Sequence, residues 1–84
     1  MSFTDTSSDP RARDVEIDER QLTVHLTDGR TVTAPLSWFP RLERASSDQR
    51  AAWELLADGI GIHWPTLDED VSVAGLVRGE RASG

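Results

Sequence analysis

The chain has 84 residues, which make one small domain whose single core leaves little net stability, so a large substrate cavity would be hard to support. It carries 15 acidic and 9 basic residues, all of the latter arginine, and its formal net charge of −6 argues against direct binding to nucleic acid or to an anionic membrane surface. Because Cys and Lys are absent, thiol and Schiff-base nucleophiles, disulfides and thiolate metal sites are excluded, and because Tyr is absent, acid/base chemistry would fall to the two histidines and the carboxylates.

Residues 1–13 are rich in Ser, Thr, Asp and Arg, with Phe3 as their large apolar group, and they are expected to form a flexible tail. Residues 80–84 are expected to form another. The first residues lack the basic-then-apolar order of a signal peptide, and no apolar run approaches the roughly 18 residues of a membrane span. These features predict a cytoplasmic protein.

From residue 14 onwards the chain shows the alternation that is typical of half-buried strands. The Asp28-Gly29 dipeptide predicts a tight hairpin turn with positive φ angles. These patterns predict a three-stranded antiparallel meander with one apolar face. Pro35 is expected at the end of the meander or on an edge strand. The apolar positions are Val15 and Ile17, then Leu22, Val24 and Leu26, then Val32, Ala34 and Leu36.

Two short helices are predicted to follow the meander. Ser37 would cap the first helix, whose opening turn tolerates Pro40. Ser46 and Gln49 form a capping-box pattern at the start of the second, which is expected to continue to Asp58-Gly59. The apolar positions of the two helices are Trp38, Phe39 and Leu42, then Ala52, Trp53 and Leu56.

The last part of the chain predicts a short fourth strand over residues 61–64 and a third short helix. Ser72 would cap that helix and Gly79 would close it, with an apolar side of Val73, Leu76 and Val77. We therefore predict a single α+β domain over residues 14–79, with two or three short helices packed on one face of a small antiparallel β-meander of three strands plus a short fourth.

One cluster suggests chemistry, since His63 lies close in sequence to Asp68, Glu69 and Asp70, and imidazole and carboxylate ligands suit divalent cations. The spacing, however, matches neither the helical His-Glu-x-x-His pattern nor a calcium-binding loop. Three adjacent carboxylates also point in different directions on any regular backbone. No metal and no cofactor are therefore predicted.

A structural role explains the same cluster more simply. The three acids precede the helix that begins at Ser72, where the helix dipole favours negative charge. Trp64-Pro65 would turn the chain towards that helix, with His63 facing solvent while Trp64 packs. Recognition of a partner by an acidic, aromatic surface is the remaining interpretation.

Other residues allow two interpretations each. Trp38, Phe39, Trp53 and Trp64 could stack nucleic-acid bases, but aromatic residues in so small a domain are more often its core. His25 is expected on the outer face of the meander. Arg41, Arg44 and Arg50 could clamp an anion or an acidic partner, although a solvated basic face is the simpler interpretation.

Two segments resemble a known family: LTVHLTDGRTVTAPLSWFPRL, and SSDQRAAWELLADGIGIHWPTLDEDVSVAGLVRG. Together they are similar to the small bacterial family catalogued as domain of unknown function 2442, over about residues 14–79. Ala74 departs from the Glu that is common before Gly75-Leu76. The resemblance implies an interaction or regulatory module, since some relatives carry the domain before a helix-turn-helix module and many are encoded beside another small protein, as in toxin–antitoxin pairs. It implies no catalytic residue.

The sequence thus predicts a non-enzymatic protein-binding or regulatory module, of which an antitoxin-like neutraliser of a small basic protein is one form. Its candidate surface contains Arg41, His63, Asp68, Glu69 and Asp70. One alternative is a small metal-dependent hydrolase that uses His63 with Asp68 or Asp70. Another is a ligand-sensing or dimerisation accessory of a transcription regulator, and an open edge strand would allow a homodimer.

Overall fold

The computed structural model describes residues 10–80, which form two three-stranded antiparallel sheets and three short α-helices. The α+β class is confirmed. The first sheet contains β1 (Ala12–Ile17), β2 (Gln21–Leu26) and β3 (Thr31–Pro35). The second contains β4 (Glu54–Leu56), β5 (Gly61–Trp64) and β6 (Glu69–Ser72). Helices α1 (Pro40–Glu43) and α2 (Ser47–Ala51) connect the two sheets, and α3 (Val73–Val77) follows β6.

The first sheet has the predicted meander order, with β2 between β1 and β3. The alternation identified its inner face, since Leu22, Val24 and Leu26 are fully buried. Strand β3 lies at an edge of the sheet and ends at Pro35, as expected for a residue that cannot donate to a strand ladder. Strand β1 begins at Ala12, two residues before the predicted start of the domain. Of the two predicted tails, residues 1–9 and 81–84 lie outside the described part of the chain.

The turn at Asp28-Gly29 closes the hairpin between β2 and β3. The Leu26 amide donates to the Arg30 carbonyl at 2.8 Å, and the Gly29 amide donates to the Leu26 carbonyl at 3.1 Å. The second bond makes Thr27 and Asp28 the central residues of the turn and Gly29 its last residue. Gly29 has a positive φ of 95° and Asp28 does not, so the predicted positive φ angles are found at one position only.

The second sheet contains two strands that the sequence analysis missed. The helix expected to reach Asp58-Gly59 ends at Ala51, because Ala52 leaves the helical region with φ −91° and ψ 55°. The next residues form β4, which pairs Leu55 with Ile62 of β5. Since Ile62 is fully buried, its strand needs hydrogen-bond partners on both edges, and a helix over the same residues would supply none.

The two connecting helices begin in different ways. The predicted cap at Ser37 is wrong: Ser37 lies in a 3-10 turn over Leu36–Trp38, and α1 begins at Pro40 without a side-chain cap. Proline has no N–H to leave unsatisfied at a first helical position, and its fixed φ suits the start of a helix. The capping box of α2 is confirmed, with the Gln49 amide donating to Ser46 Oγ at 3.1 Å.

Helix α3 has both predicted ends. The Gly75 amide donates to Ser72 Oγ at 3.1 Å. At the other end, the Gly79 amide donates to the Leu76 carbonyl at 3.0 Å and the Glu80 amide donates to the Gly75 carbonyl at 2.9 Å, which is the Schellman pattern. Val77, predicted on the apolar side, is 39% exposed.

The core takes side chains from both sheets, from α1 and from α3. Trp64 is fully buried at its centre, and its indole N–H donates to the Arg50 carbonyl at 2.9 Å, which ties α2 to the second sheet. The core position predicted for the aromatic residues is confirmed for Phe39 and Trp64, while Trp38 and Trp53 are partly buried against the core. Within residues 10–80, no helix has the length and apolar character needed to cross a membrane.

Candidate functional site

The acidic cluster is divided between the two faces of the second sheet. Glu69 and Asp70 lie in β6, a strand that runs directly into the helix capped by Ser72, so the acids precede that helix as predicted, and their stabilisation by the helix dipole stays a prediction. Successive residues of a strand point to opposite faces. Glu69 accordingly faces the protein and is 9% exposed, whereas Asp70 faces solvent. Asp68 occupies the preceding turn, with a positive φ of 51°.

Arg41 of α1 holds the inner part of this cluster. Its Nη1 donates to the Asp68 carbonyl at 2.7 Å and lies 3.8 Å from Glu69 Oε1. Burial raises the pKa of Glu69, and the Arg41 charge opposes that effect. We call Arg41, Asp68 and Glu69 the inner clamp. It joins α1 to the turn before β6, so a structural role accounts for these three residues.

The outer part of the cluster is a row of side chains across the second sheet. Glu54 of β4 lies opposite His63 of β5, which lies opposite Asp70 of β6. His63 Nδ1 is hydrogen-bonded to Asp70 Oδ1, and the His63 side chain is 27% exposed. This hydrogen bond raises the pKa of His63, and the charges of Asp70 and Glu54 act in the same direction. We call Glu54, His63 and Asp70 the outer row.

The structure therefore brings together only part of the set considered for metal or hydrolytic chemistry. His63 meets Asp70, but Glu69 is on the opposite face beside Arg41, and Asp68 contributes its carbonyl to the inner clamp. In residues 10–80, no group of three or more His, Cys, Asp or Glu side chains is placed to hold a metal ion. The four residues do not form one centre.

The three arginines considered as an anion clamp diverge. Arg41 reaches the turn before β6, whereas Arg44 and Arg50 cap the end of α1. Arg44 Nε donates to the Pro40 carbonyl at 3.3 Å. Arg50 donates to two further α1 carbonyls, from Nε to Leu42 at 2.8 Å and from Nη2 to Glu43 at 2.7 Å. Cations suit the carbonyl end of a helix, so these side chains stabilise the fold.

His25 lies on the outer face of the first sheet, as predicted from its alternation with Val24 and Leu26. Its Nε2 is 2.7 Å from Glu16 Oε2 on β1, and its Nδ1 is 3.4 Å from Thr31 Oγ1 on β3. The side chain thus bridges the three strands of that sheet.

A cleft of about 510 Å³ lies between β1, the turn that follows it and α2. None of the five predicted surface residues lines it. The sequence analysis missed this cleft because it assigned Trp53 to the apolar face of a helix. No pattern in the sequence marked it, because β4, which begins at Glu54 directly after Trp53, has three residues and is too short to show a period. The walls of the cleft include Val15, Ile17, Asp18, Arg20, Arg50 and Trp53.

Comparison with known proteins gives a family and two similar structures. The model of a family described as "Protein of unknown function (DUF2442)" matches residues 12–82. The crystal structure, at 2.75 Å resolution, of a protein of unknown function from Rhodospirillum rubrum ATCC 11170 superposes with a TM-score of 0.76 and 39% identity, covering 88% of this chain and 92% of that one. The solution NMR structure of an uncharacterised protein from Chromobacterium violaceum gives a TM-score of 0.73 and 28% identity, covering 88% and 70% of the two chains. No curated protein matches the chain.

Proposed function

The chain belongs to the DUF2442 family, and from that premise we propose that it is a non-enzymatic protein-binding module which docks a basic partner protein on the outer face of the second sheet. The outer row of Glu54, His63 and Asp70 is the centre of this surface. An antitoxin-like neutraliser of a small basic effector is the specific form of this function that the chain suits.

The observation that carries the proposal is the arrangement of the outer row. Two exposed carboxylates flank one partly exposed imidazole in register on adjacent strands. Even when His63 is protonated, the row keeps a net negative charge. Its side chains stand on strands, so a partner would meet groups held at fixed spacing.

The edge of the same face adds apolar contact area. Leu56, two residues along β4 from Glu54 and on the same face, is 40% exposed and lies opposite Gly61, which has no side chain. Interfaces combine apolar and polar contacts, and this face offers both. The chain's net charge of −6 would also accelerate encounter with a basic partner.

We do not assign the residues of the inner clamp to the interface. Replacing Glu69 by lysine would place a second cation beside Arg41 in a nearly buried position, so any loss of binding could come from unfolding. Variants for testing the surface should therefore change the exposed acids Glu54 and Asp70.

The experiment compares Glu54→Lys/Asp70→Lys with a matched control, Asp14→Lys/Glu16→Lys, which makes the same charge change on the first sheet. A tagged chain is used to capture partners from the native cell extract, and the captured protein is then purified and titrated by calorimetry. We expect the outer-row variant to weaken binding by about tenfold or more, with the control close to the unmodified protein.

The salt dependence provides a second readout, because an interface of opposite charges weakens as salt rises. Equal affinity of the unmodified protein and the Glu54→Lys/Asp70→Lys variant would remove the outer row from the interface. The absence of any stoichiometric partner would count against a binding module altogether.

A further inference from the structure

The cleft beside α2 has the form of a small-molecule site. It is bounded by the second half of β1, by the turn between β1 and β2, and by α2 with the residues that follow. Its volume of about 510 Å³ lies within the range, roughly 300–1,000 Å³, that is usual for sites of small organic ligands. No residue of the outer row lines this cleft, although Trp53 of the cleft directly precedes Glu54 in the chain.

One wall of the cleft is apolar. Val15 is buried there, and Ile17 and Trp53 are partly buried against the core, with part of each side chain left open. Within residues 10–80 the indole N–H of Trp53 has no hydrogen-bond partner. An apolar ligand group would cover this wall and remove its surface from water.

The turn between β1 and β2 supplies a fixed negative charge. Asp18 Oδ1 accepts the backbone N–H groups of Arg20 at 2.7 Å and of Gln21 at 2.8 Å. These two hydrogen bonds lower the pKa of Asp18, with smaller contributions from the charges of Arg20 and Arg50. The carboxylate is thus held in one orientation and stays ionised, and Glu19 beside it is exposed on the same rim.

Helix α2 supplies a fixed positive charge on the opposite side. Arg50 is immobilised by its bonds to the carbonyls of Leu42 and Glu43, which use Nε and Nη2. Its Nη1 has no hydrogen-bond partner within residues 10–80 and remains available to a ligand. A cation anchored by other bonds costs little further ordering when a ligand binds.

We propose that this cleft binds a zwitterion with an apolar side chain, either a free α-amino acid or a dipeptide. The apolar side chain lies against Ile17 and Trp53. The ammonium group lies beside Asp18 and Glu19, and the carboxylate lies beside Arg50. Charges of both signs around an apolar wall match this class of molecule better than a purely anionic or purely apolar ligand.

The test is an NMR titration of the full chain, followed through the indole N–H signals of its three tryptophans. The Trp53 signal is assigned with Trp53→Phe. The probes are L-phenylalanine and L-phenylalanyl-L-leucine, and N-acetyl-L-phenylalaninamide carries the same side chain without either charge. We expect the Trp53 signal to shift and saturate below about 10 mM with at least one zwitterion. The zwitterion that binds more tightly shows whether the cleft prefers a free amino acid or a dipeptide.

A pair of variants locates the site. Ala51 lines the cleft and is exposed, so Ala51→Phe fills the space without removing a contact. Its neighbour Ala52 is also exposed but does not line the cleft, so Ala52→Phe is the matched control. Ala51→Phe should weaken binding about tenfold or more while Ala52→Phe leaves it unchanged. Unchanged methyl signals of Leu22, Val24 and Leu26, which are fully buried in the first sheet, confirm that each variant is folded.

Three results would overturn the proposal. These are no saturable shift with either zwitterion, equal binding of the uncharged analogue, or full binding by a correctly folded Ala51→Phe variant.

Discussion

The two sheets of this protein are built from the same parts, but the surroundings of those parts differ. Each sheet has three antiparallel strands, one Asp-Gly turn, and one histidine that meets a carboxylate from a neighbouring strand on the outer face. Gly29 of the first sheet lies in open space, since an added Cβ would have no neighbour within 4 Å. Gly59 of the second sheet lies against the backbone of Ala12. The same local signal therefore makes a free turn in one sheet and a packed contact in the other.

The packed turn is also the more strained one. Three consecutive residues, Ala57, Asp58 and Gly59, have positive φ angles of 51°, 60° and 96°. For a residue other than glycine this conformation costs roughly 1–2 kcal/mol, so surrounding contacts must stabilise it. The contact between Gly59 and the start of β1 is one such contact, and it holds the second sheet against the first.

The largest effect is expected from Gly59→Ala. The new Cβ would lie 2.3 Å from the Ala12 carbonyl oxygen and 2.9 Å from its nitrogen, and both are backbone atoms that cannot move independently of β1. The φ of 96° adds strain for any L-residue. We expect the free energy of unfolding to fall by about 3 kcal/mol or more, as measured by urea denaturation.

Gly29→Ala is expected to lower the free energy of unfolding by less than Gly59→Ala. At Gly29 the positive φ is the only obstacle to a side chain, because no neighbour lies close to the added methyl group. With open space around the added methyl group, the cost should be about 1–2 kcal/mol by the same urea measurement. Gly29→Asn should cost less, because asparagine tolerates positive φ. A loss for Gly29→Ala equal to that of Gly59→Ala would show that the contact with Ala12 is unimportant.

The different surroundings also explain which sheet could be predicted. In the first sheet Leu22, Val24 and Leu26 alternate over a full strand, so the sequence itself shows which face is buried. Strand β4 has three residues and is too short to show a period. It exists because β5 needs a partner, and that requirement becomes visible only after the chain has folded. The Asp58-Gly59 dipeptide was a turn signal equal to Asp28-Gly29, yet the preceding capping box favoured a helix.

The candidate site was predictable to a similar extent. Composition identified Asp68, Glu69 and Asp70 as an unusual cluster, and the expectation that adjacent carboxylates diverge is confirmed by the opposite faces of Glu69 and Asp70. The partners of these acids were not predictable. Arg41 is 28 residues before Glu69 by sequence number, and His63 meets Asp70 only because β5 and β6 pair in one register.

The smallest effect concerns the pKa of His63 and tests whether its neighbours on the second sheet raise that pKa. The Asp70 hydrogen bond raises the pKa of His63, and Glu54 contributes less. An NMR titration should therefore give a His63 midpoint that falls clearly in Asp70→Asn and slightly in Glu54→Gln. His25→Gln, a change on the other sheet, should leave that midpoint unaltered. Equal midpoints in Asp70→Asn and the unmodified protein would contradict the role of the outer row.

The same shift gives the protein a pH dependence of known sign. A histidine whose pKa is raised on folding stabilises the folded state fully below its unfolded pKa, about 6.5, and loses that contribution as the pH rises through the folded value. Removing the partner by Asp70→Asn should therefore lower the melting temperature more below the unfolded pKa than at a pH above the raised pKa of the folded state, where His63 is neutral in both states. A difference that grows with pH would mean that Asp70 stabilises the sheet by some contact other than the His63 cation.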